Sequence, residues 1–354
     1  MTGKEVKEIG HINFGYFSPE LSSSNTYPGY IEDNVLECVK KIQGYQNRNS
    51  ITFGFVTDIH YSKTYNHDIR TKRLVNAYRE IRKRVHSDVL ILGGDYVNDG
   101  IKDYKLNNMR ELRAHLGDEK YLPVNGNHDD NSIWDTFAEE AKRGIHQVTS
   151  ADMYTYLFNH LPHIAGVEFG SDSGLYYIYN DTAKKVRYIV LDVNEIPYEM
   201  DEDGTNIYSR EHSYSISQKQ LSWLTDKALK FTEDGWSVMV FAHDFYLREE
   251  RDEKYIKFLY ELFDSYKKGE AVSKNIEQSY GTISLKADFS KYMRADIIGL
   301  FAGHYHADVI QKTACDIPVI FTDCAIMCNR KTERKDGEKS ELPFDMESCT
   351  VTLS

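Results

Sequence analysis

The chain has 354 residues, is 41% hydrophobic and carries a formal net charge of −12, so it can bury a substantial core in one large domain. The acidic balance disfavours general binding to long nucleic acids or anionic membranes. No apolar run approaches the roughly 18 residues of a membrane span, no period repeats, and no stretch is low in complexity.

The start, Met1 to Lys7, is charged and has no apolar h-region. Export is therefore not expected, and a cytoplasmic location is. Residues 1–50 read as an N-terminal extension whose aromatic, Ser-rich opening leads into an amphipathic helix. That helix carries Ile31, Val35, Val39 and Ile42 on the face that packs against the core.

The first strand, Ile51 to Val56, ends in Thr57-Asp58. A helix follows, with Leu74, Tyr78, Ile81 and Val85 at helical spacing. Arg70, Lys72, Arg73, Arg79, Arg82, Lys83 and Arg84 make this helix basic, read here as a solvated face ahead of a nucleic-acid surface. Val89 to Leu92 then leads into Gly93-Gly94-Asp95, and Tyr121 to Val124 into Asn125-Gly126-Asn127. Short runs of this kind, bounded by Gly and polar residues, mark strands covered on both faces.

Tyr176 to Tyr179 and Val186 to Leu191 flank a polar segment and predict a hairpin, hence some antiparallel pairing. Leu221, Leu224 and Ala228 mark a helix, Val238 to Ala242 a strand ending in His243-Asp244, and Ile256, Leu259 and Phe263 another helix. Residues 265–287 are polar and read as a surface loop, or alternatively as a lid or wall of a cleft. Ile297 to Ala302 ends in Gly303-His304. The alternation implies a layered α/β domain over residues 51–325 with a mixed sheet, and residues 326–354 completing or flanking it.

Five cysteines, Cys38, Cys315, Cys324, Cys328 and Cys349, are scattered in a chain too large to need staples, so reduced thiols are expected. Cys324 and Cys328 could be metal ligands, but no second Cys or His pair follows at a suitable spacing.

Five strand ends carry Asp, Asn or His, and ligands of open α/β sheets gather beyond the carboxyl ends of strands. One site drawn from the whole chain accounts for them. A lone histidine such as His243 on an apolar strand is more often a satisfied core residue than a ligand, and only the constellation reverses that reading.

In order, Asp58-Ile59-His60, Gly94 to Gly100, Gly126 to Asp129, His243 and Gly303-His304-Tyr305-His306 resemble the motifs of the calcineurin-like metallophosphoesterase superfamily, over about residues 51–325. The resemblance implies a layered αββα sandwich with mixed β-sheets and a dinuclear metal site at the carboxyl ends of its strands. Asp58, His60, Asp95 and His306 would hold one divalent transition-metal ion, and Asp95, Asn127, His243 and His304 the other, with Asp95 as the bridge. Mn, Fe and Zn all suit such donors. A carboxylate has two oxygens with which to bridge, and two divalent ions outweigh the charge of two aspartates, which leaves the site cationic enough to attract phosphate.

The implied chemistry is hydrolysis by a metal-bound hydroxide, with His128 as the general acid or, alternatively, as a phosphate-binding group. His67, just after the first motif, could reach the cleft. The protein-phosphatase branch has an Asp and an Arg where this chain has Asn98 and Asp99, and Asp99 would repel a phosphate. A small phosphomonoester or phosphodiester is therefore the expected substrate. The alternatives are a nuclease acting on single strands or ends, a Ser/Thr-type protein phosphatase, and a non-catalytic scaffold of the same fold.

Overall fold

The computed structural model describes residues 6–11, 29–63, 67–98, 100–130, 144–170, 174–208, 214–247, 254–278, 280–325 and 349–353. Along the chain run β1 (Val6–His11), α1 (Gly29–Tyr45), β2 (Ile51–Val56), α2 (His67–Arg84), β3 (Val89–Leu92), α3 (Lys102–Leu116), β4 (Tyr121–Pro123) and α4 (Ser150–Met153). There follow β5 (Val167–Phe169), β6 (Tyr177–Asp181), β7 (Val186–Val190), α5 (Gln218–Trp223), β8 (Ser237–Phe241) and α6 (Lys254–Lys268). The last are β9 (Ala271–Gln278), β10 (Gly281–Asp288), β11 (Asp296–Ala302), β12 (Val309–Lys312), β13 (Pro318–Phe321) and β14 (Cys349–Leu353).

Two mixed sheets result, in the orders β1-β14-β2-β3-β4 and β12-β13-β11-β8-β7-β6-β5. The strand from the end of the chain, β14, lies antiparallel between β1 and β2. The strands that carry the motifs are parallel to one another: β2 to β3 and β3 to β4 in the first sheet, β8 to β11 in the second. Parallel pairing puts their carboxyl ends on one edge. β6 and β7 form the expected antiparallel hairpin.

Side-chain alternation makes the layers. On β8, Met239 and Phe241 join the core shared with the first sheet, while Val238 and Val240 join the core under α5 and α6. Between the sheets Phe53 meets Phe241 at 5.7 Å and Phe301 at 5.4 Å, both edge-to-face, a geometry worth about 0.5–1.5 kcal/mol per pair beyond burial. Outside the first sheet, α1 buries Val35, Cys38, Val39 and Ile42, and α2 buries Leu74, Tyr78 and Ile81. The side chain of Ile31 lies outside the described residues.

The segment 265–287 is not a loop. α6 continues to Lys268, and β9 and β10 then form an antiparallel ribbon with Gly281 opposite Gln278 and Asp288 opposite Ala271. Ile283, Leu285 and Ala287 alternate inward on β10, so half of each strand is polar by design and the average composition misleads. α3 has no counterpart in the sequence reading, because its buried face mixes Lys105 and Asn108 with Met109, Leu112 and Leu116. Cys38, Cys315 and Cys324 are outside any disulfide, and among the described residues no helix is long and apolar enough to cross a membrane.

Candidate metal centre

The parallel edge delivers Asp58 and His60 from the end of β2, Asp95 from β3, Asn127 and His128 from β4, His243 from β8, and His304 and His306 from β11. Backbone bonds lock these turns together: Asp58 N–H donates to Gly94 O (3.0 Å), His60 N–H to Asp95 O (2.8 Å) and Gly303 N–H to His243 O (3.0 Å). The turns are sharp. Asp58, His60, Asp95, His304 and His306 all have φ between 43° and 63°, a left-handed conformation that ordinary residues seldom adopt and that persists where surrounding structure enforces it. Close approach adds a second constraint, since a Cβ on Gly126 would lie 2.1 Å from Asp95 N and one on Gly303 1.9 Å from Thr57 Oγ1.

Each aspartate is gripped by one oxygen and offers the other. Asp58 Oδ2 accepts from Thr57 Oγ1 (2.7 Å) and from His304 N–H (2.9 Å), while Oδ1 lies 2.9 Å from His306 Nε2 and 4.0 Å from both His60 Nε2 and His243 Nε2. Asp95 Oδ1 accepts from His128 N–H (2.9 Å). Its Oδ2 lies 3.2 Å from His243 Nε2, 3.7 Å from His60 Nε2 and 4.0 Å from His128 Nε2. Two donor groups emerge, Asp58 with His60 and His306, and Asp95 with His243 and His304, the ligand atoms within each group lying within 4.8 Å of one another. Asn127 stands beside the second, its Oδ1 3.0 Å from His304 Nδ1.

The ring orientations follow from the partners. Gly93 O can only accept, so His243 Nδ1 donates to it at 2.8 Å and Nε2 is left to face Asp95. His60 is buried with no hydrogen-bond partner for either ring nitrogen, and Asn127 Nδ2 is likewise unpartnered. Native interiors rarely tolerate such atoms. Paired carboxylates, imidazoles and an amide converging on one spot are a donor set for divalent ions, so the residues present fit two of them.

Electrostatics agree. Burial pushes His60 down to about 4, and burial with His243 nearby pushes His304 down to about 3, so both imidazoles are neutral near pH 7. Burial opposes ionisation of the aspartates. Even so, His306 holds Asp58, and His243 holds Asp95, below the usual carboxylate range. For His243 burial is outweighed by the Asp95 carboxylate, which raises it to about 10, so this imidazole holds a proton that an ion would have to displace.

The sequence reading left several neighbours unassigned. Asp129, fully buried, accepts from the backbone N–H groups of Asp95 (3.0 Å), Tyr96 (2.7 Å) and Gly126 (2.9 Å), and burial with Asp95 nearby pushes its carboxyl up to about 7. Lys105, also fully buried, donates from Nζ to His128 O. Tyr214 bonds His304 Nε2 at 2.8 Å. A lysine on a poorly patterned helix and one tyrosine among 26 give no sequence signal. His67 is buried with Nδ1 donating to His60 O at 3.0 Å, so it braces the first turn. His86, His115 and His160 make their contacts elsewhere, and Asp99 and His212 lie outside the described residues.

The sequence model of the calcineurin-like phosphoesterase family matches residues 51–308, a span that includes every residue placed at this centre. No curated protein matches the chain. Among solved structures it is similar to a dimetal phosphatase from Danio rerio, at 12% identity over 78% of this chain and 88% of that one, with a TM-score of 0.49. A 5'-nucleotidase from Candida albicans SC5314 is similar at 17% identity over 78% and 46% of the two chains, TM-score 0.41. The phosphopantetheinyl hydrolase PptH from Mycobacterium tuberculosis is similar at 12% identity over 78% and 91%, TM-score 0.35. With the family model covering well over half of the chain, the protein belongs to the calcineurin-like phosphoesterase family, whose members use divalent metal ions, and is a hydrolase of phosphate-ester bonds.

Proposed function

We propose that the protein hydrolyses a small phosphodiester or phosphomonoester with two divalent transition-metal ions, Mn, Fe or Zn. Asp58, His60, Asp95 and His306 would hold one, and Asp95, Asn127, His243 and His304 would hold the other. The observation that carries this reading is the position of Asp95 Oδ2, which faces His60 Nε2 at 3.7 Å and His243 Nε2 at 3.2 Å, one imidazole from each half of the donor set. A bridging carboxylate needs that position.

The two ions, when held by these residues, would supply positive charge against the phosphate and activate water as the nucleophile. The chain supplies the rest. His128 is the most exposed histidine of the centre, its side chain being 25% accessible against 17% for His306, 14% for His304, 7% for His60 and 0% for His243. Its backbone N–H is anchored on Asp95, and its ring stands edge-on to that of His60, centroids 5.0 Å apart. In this reading His128 gives a proton from Nε2 to the departing oxygen of the ester. Asp58 and Asp95 stay ionised.

Three features favour a small substrate. Asn98 and Asp99 stand where the protein phosphatases carry an Asp and an Arg, so the phosphate-gripping cation of that branch is missing, and Asn98 instead approaches His67 Nδ1 at 3.5 Å. The basic helix α2 is largely spent on nearby acids: Lys72 on Asp68 (3.4 Å) and Arg84 on Glu80 (2.8 Å) within the helix, Arg79 on Glu119 (3.2 Å) beyond α3, with Arg82 and Lys83 likewise paired to Glu119 and Glu80. The net charge of −12 disfavours extended polyanions, so nucleic acid enters only as a substrate end. A cytoplasmic location and no membrane association complete the proposal. The test is a panel of bis-p-nitrophenyl phosphate, p-nitrophenyl phosphate, cyclic nucleotides, single-stranded DNA and a phosphoserine protein. Turnover of the small esters with a kcat/KM far above that for the phosphoprotein is expected, and the reverse order overturns the substrate assignment.

A further inference from the structure

Both ring nitrogens of His304 face a specific side-chain partner. Nδ1 faces Asn127 Oδ1 at 3.0 Å, on the side of the Asp95–His243 group, and Nε2 meets the Tyr214 hydroxyl at 2.8 Å. The Tyr214 ring stands edge-on to the imidazole, centroids 5.4 Å apart at 72°. An imidazole that offers Nδ1 to an ion must carry its proton on Nε2, and that N–H then needs an acceptor. The phenol oxygen is in place to accept it, and Asp244 Oδ2 lies 3.9 Å from the same nitrogen.

Tyr214 is itself anchored. The next residue, Ser215, is fully buried, donates its backbone N–H to Val193 O at 2.8 Å and donates its hydroxyl to Gln278 Oε1 at the far end of β9. Gln278 faces Gly281 across the tip of the β9–β10 ribbon. A continuous path therefore runs from the ribbon tip through Ser215 and Tyr214 to His304.

We propose that Tyr214 is a positioning residue for the second ion. It fixes the tautomer and rotation of His304 so that Nδ1 faces the Asp95–His243–Asn127 group, and the β9–β10 ribbon, through Gln278 and Ser215, holds Tyr214 in place. Tyr214 touches neither substrate nor ion in this account. The inference rests on the two-ion reading above, and it adds the second contact that makes His304 a defined ligand. It also gives the ribbon a task at the centre, although the ribbon contributes no ligand.

The test is calorimetric titration of Mn²⁺ or Zn²⁺ into the chelator-treated full-length chain, wild type against Tyr214→Phe, which removes only the hydroxyl. Partners of this kind are worth about 10–100-fold in metal affinity. The expected result is a 10–100-fold loss at one of the two sites with the other unchanged, and recovery of kcat when the variant is saturated with metal. Gln278→Leu should shift the same site in the same direction by less. Equal affinities in wild type and variant overturn the inference, as does a parallel loss at both sites, which would report a general loosening. A kcat that stays low at saturating metal overturns it too, because the hydroxyl would then act on the substrate. Wild-type protein that binds fewer than two ions would fail the two-ion reading itself, an outcome separable from all of these.

Discussion

Asp95 and His243 meet at 3.2 Å, the first at the end of β3 in one sheet and the second at the end of β8 in the other. The centre is thus a joint between the two sheets, closed further by His304 N–H donating to Asp58 Oδ2 at 2.9 Å. Neither sheet carries a full donor set. The function depends on how the sheets dock, and the docking surface is the Phe53, Phe241 and Phe301 cluster.

Lys105 is the buried cation beneath the turn that carries His128, and its charge favours ionised Asp129. Lys105→Met keeps the volume but removes the donor to His128 O and the counter-charge to Asp129. Breaking a buried charge arrangement by removing one member costs about 3–5 kcal/mol. Urea denaturation should show a loss of that order, and a variant as stable as wild type would mean that Asp129 is satisfied by its three backbone donors alone.

Away from the centre, Asp88 ties the sheets together. It accepts from Lys184 Nζ (2.7 and 2.8 Å), from Thr52 N–H (2.9 Å) and from His86 Nε2 (2.8 Å), and Lys184 also reaches Ser50 O. Burial opposes ionisation, but the Lys184 ammonium and the other donors hold the carboxyl below its ordinary value. A carboxyl depressed in the folded state adds stability above its unfolded pKa of about 3.9, and that stability is lost as pH falls below it. Asp88→Asn should therefore cost about 2 kcal/mol near neutral pH, with the gap to wild type closing below about pH 4. A gap that is constant from pH 7 to pH 3 would contradict the assignment.

Most of the site was legible because its chemistry sits at the carboxyl ends of strands whose apolar runs announce themselves: Ile51–Val56, Val89–Leu92 and Ser237–Phe241 are buried throughout. The β9–β10 ribbon was hidden by its own alternation, since Ser273, Lys274, Asn275, Ser284 and Lys286 dilute Ile276, Ile283 and Leu285. α3 was hidden because Lys105 and Asn108 occupy core positions. For α3 tertiary contacts set the burial, whereas β10 does carry a local alternation that the average polarity of the segment conceals. Tyr214 and Lys105 act through single hydrogen bonds across long sequence separations, which a single sequence does not reveal.

His128 is absent from both donor groups, with its ring nitrogen 4.0 Å from Asp95 Oδ2, and the proposed function gives it the role of general acid. His128→Ala should keep both ions and lose about 10²–10⁴ in rate on an alkyl ester, with a much smaller loss on a p-nitrophenyl ester, whose leaving group departs as a stable anion. Equal losses on both esters would assign His128 to phosphate binding.

The central claim, that one bridging carboxylate organises two ions for hydrolysis, is tested most directly by elemental analysis of metal-reconstituted protein alongside its phosphoesterase activity. Wild type should hold two ions per chain and lose activity when they are stripped, and Asp95→Asn should weaken both sites together. Metal-free protein that remains active after attempted reconstitution with Mn²⁺ or Zn²⁺, or an Asp95→Asn variant that keeps two ions at wild-type affinity, would contradict it.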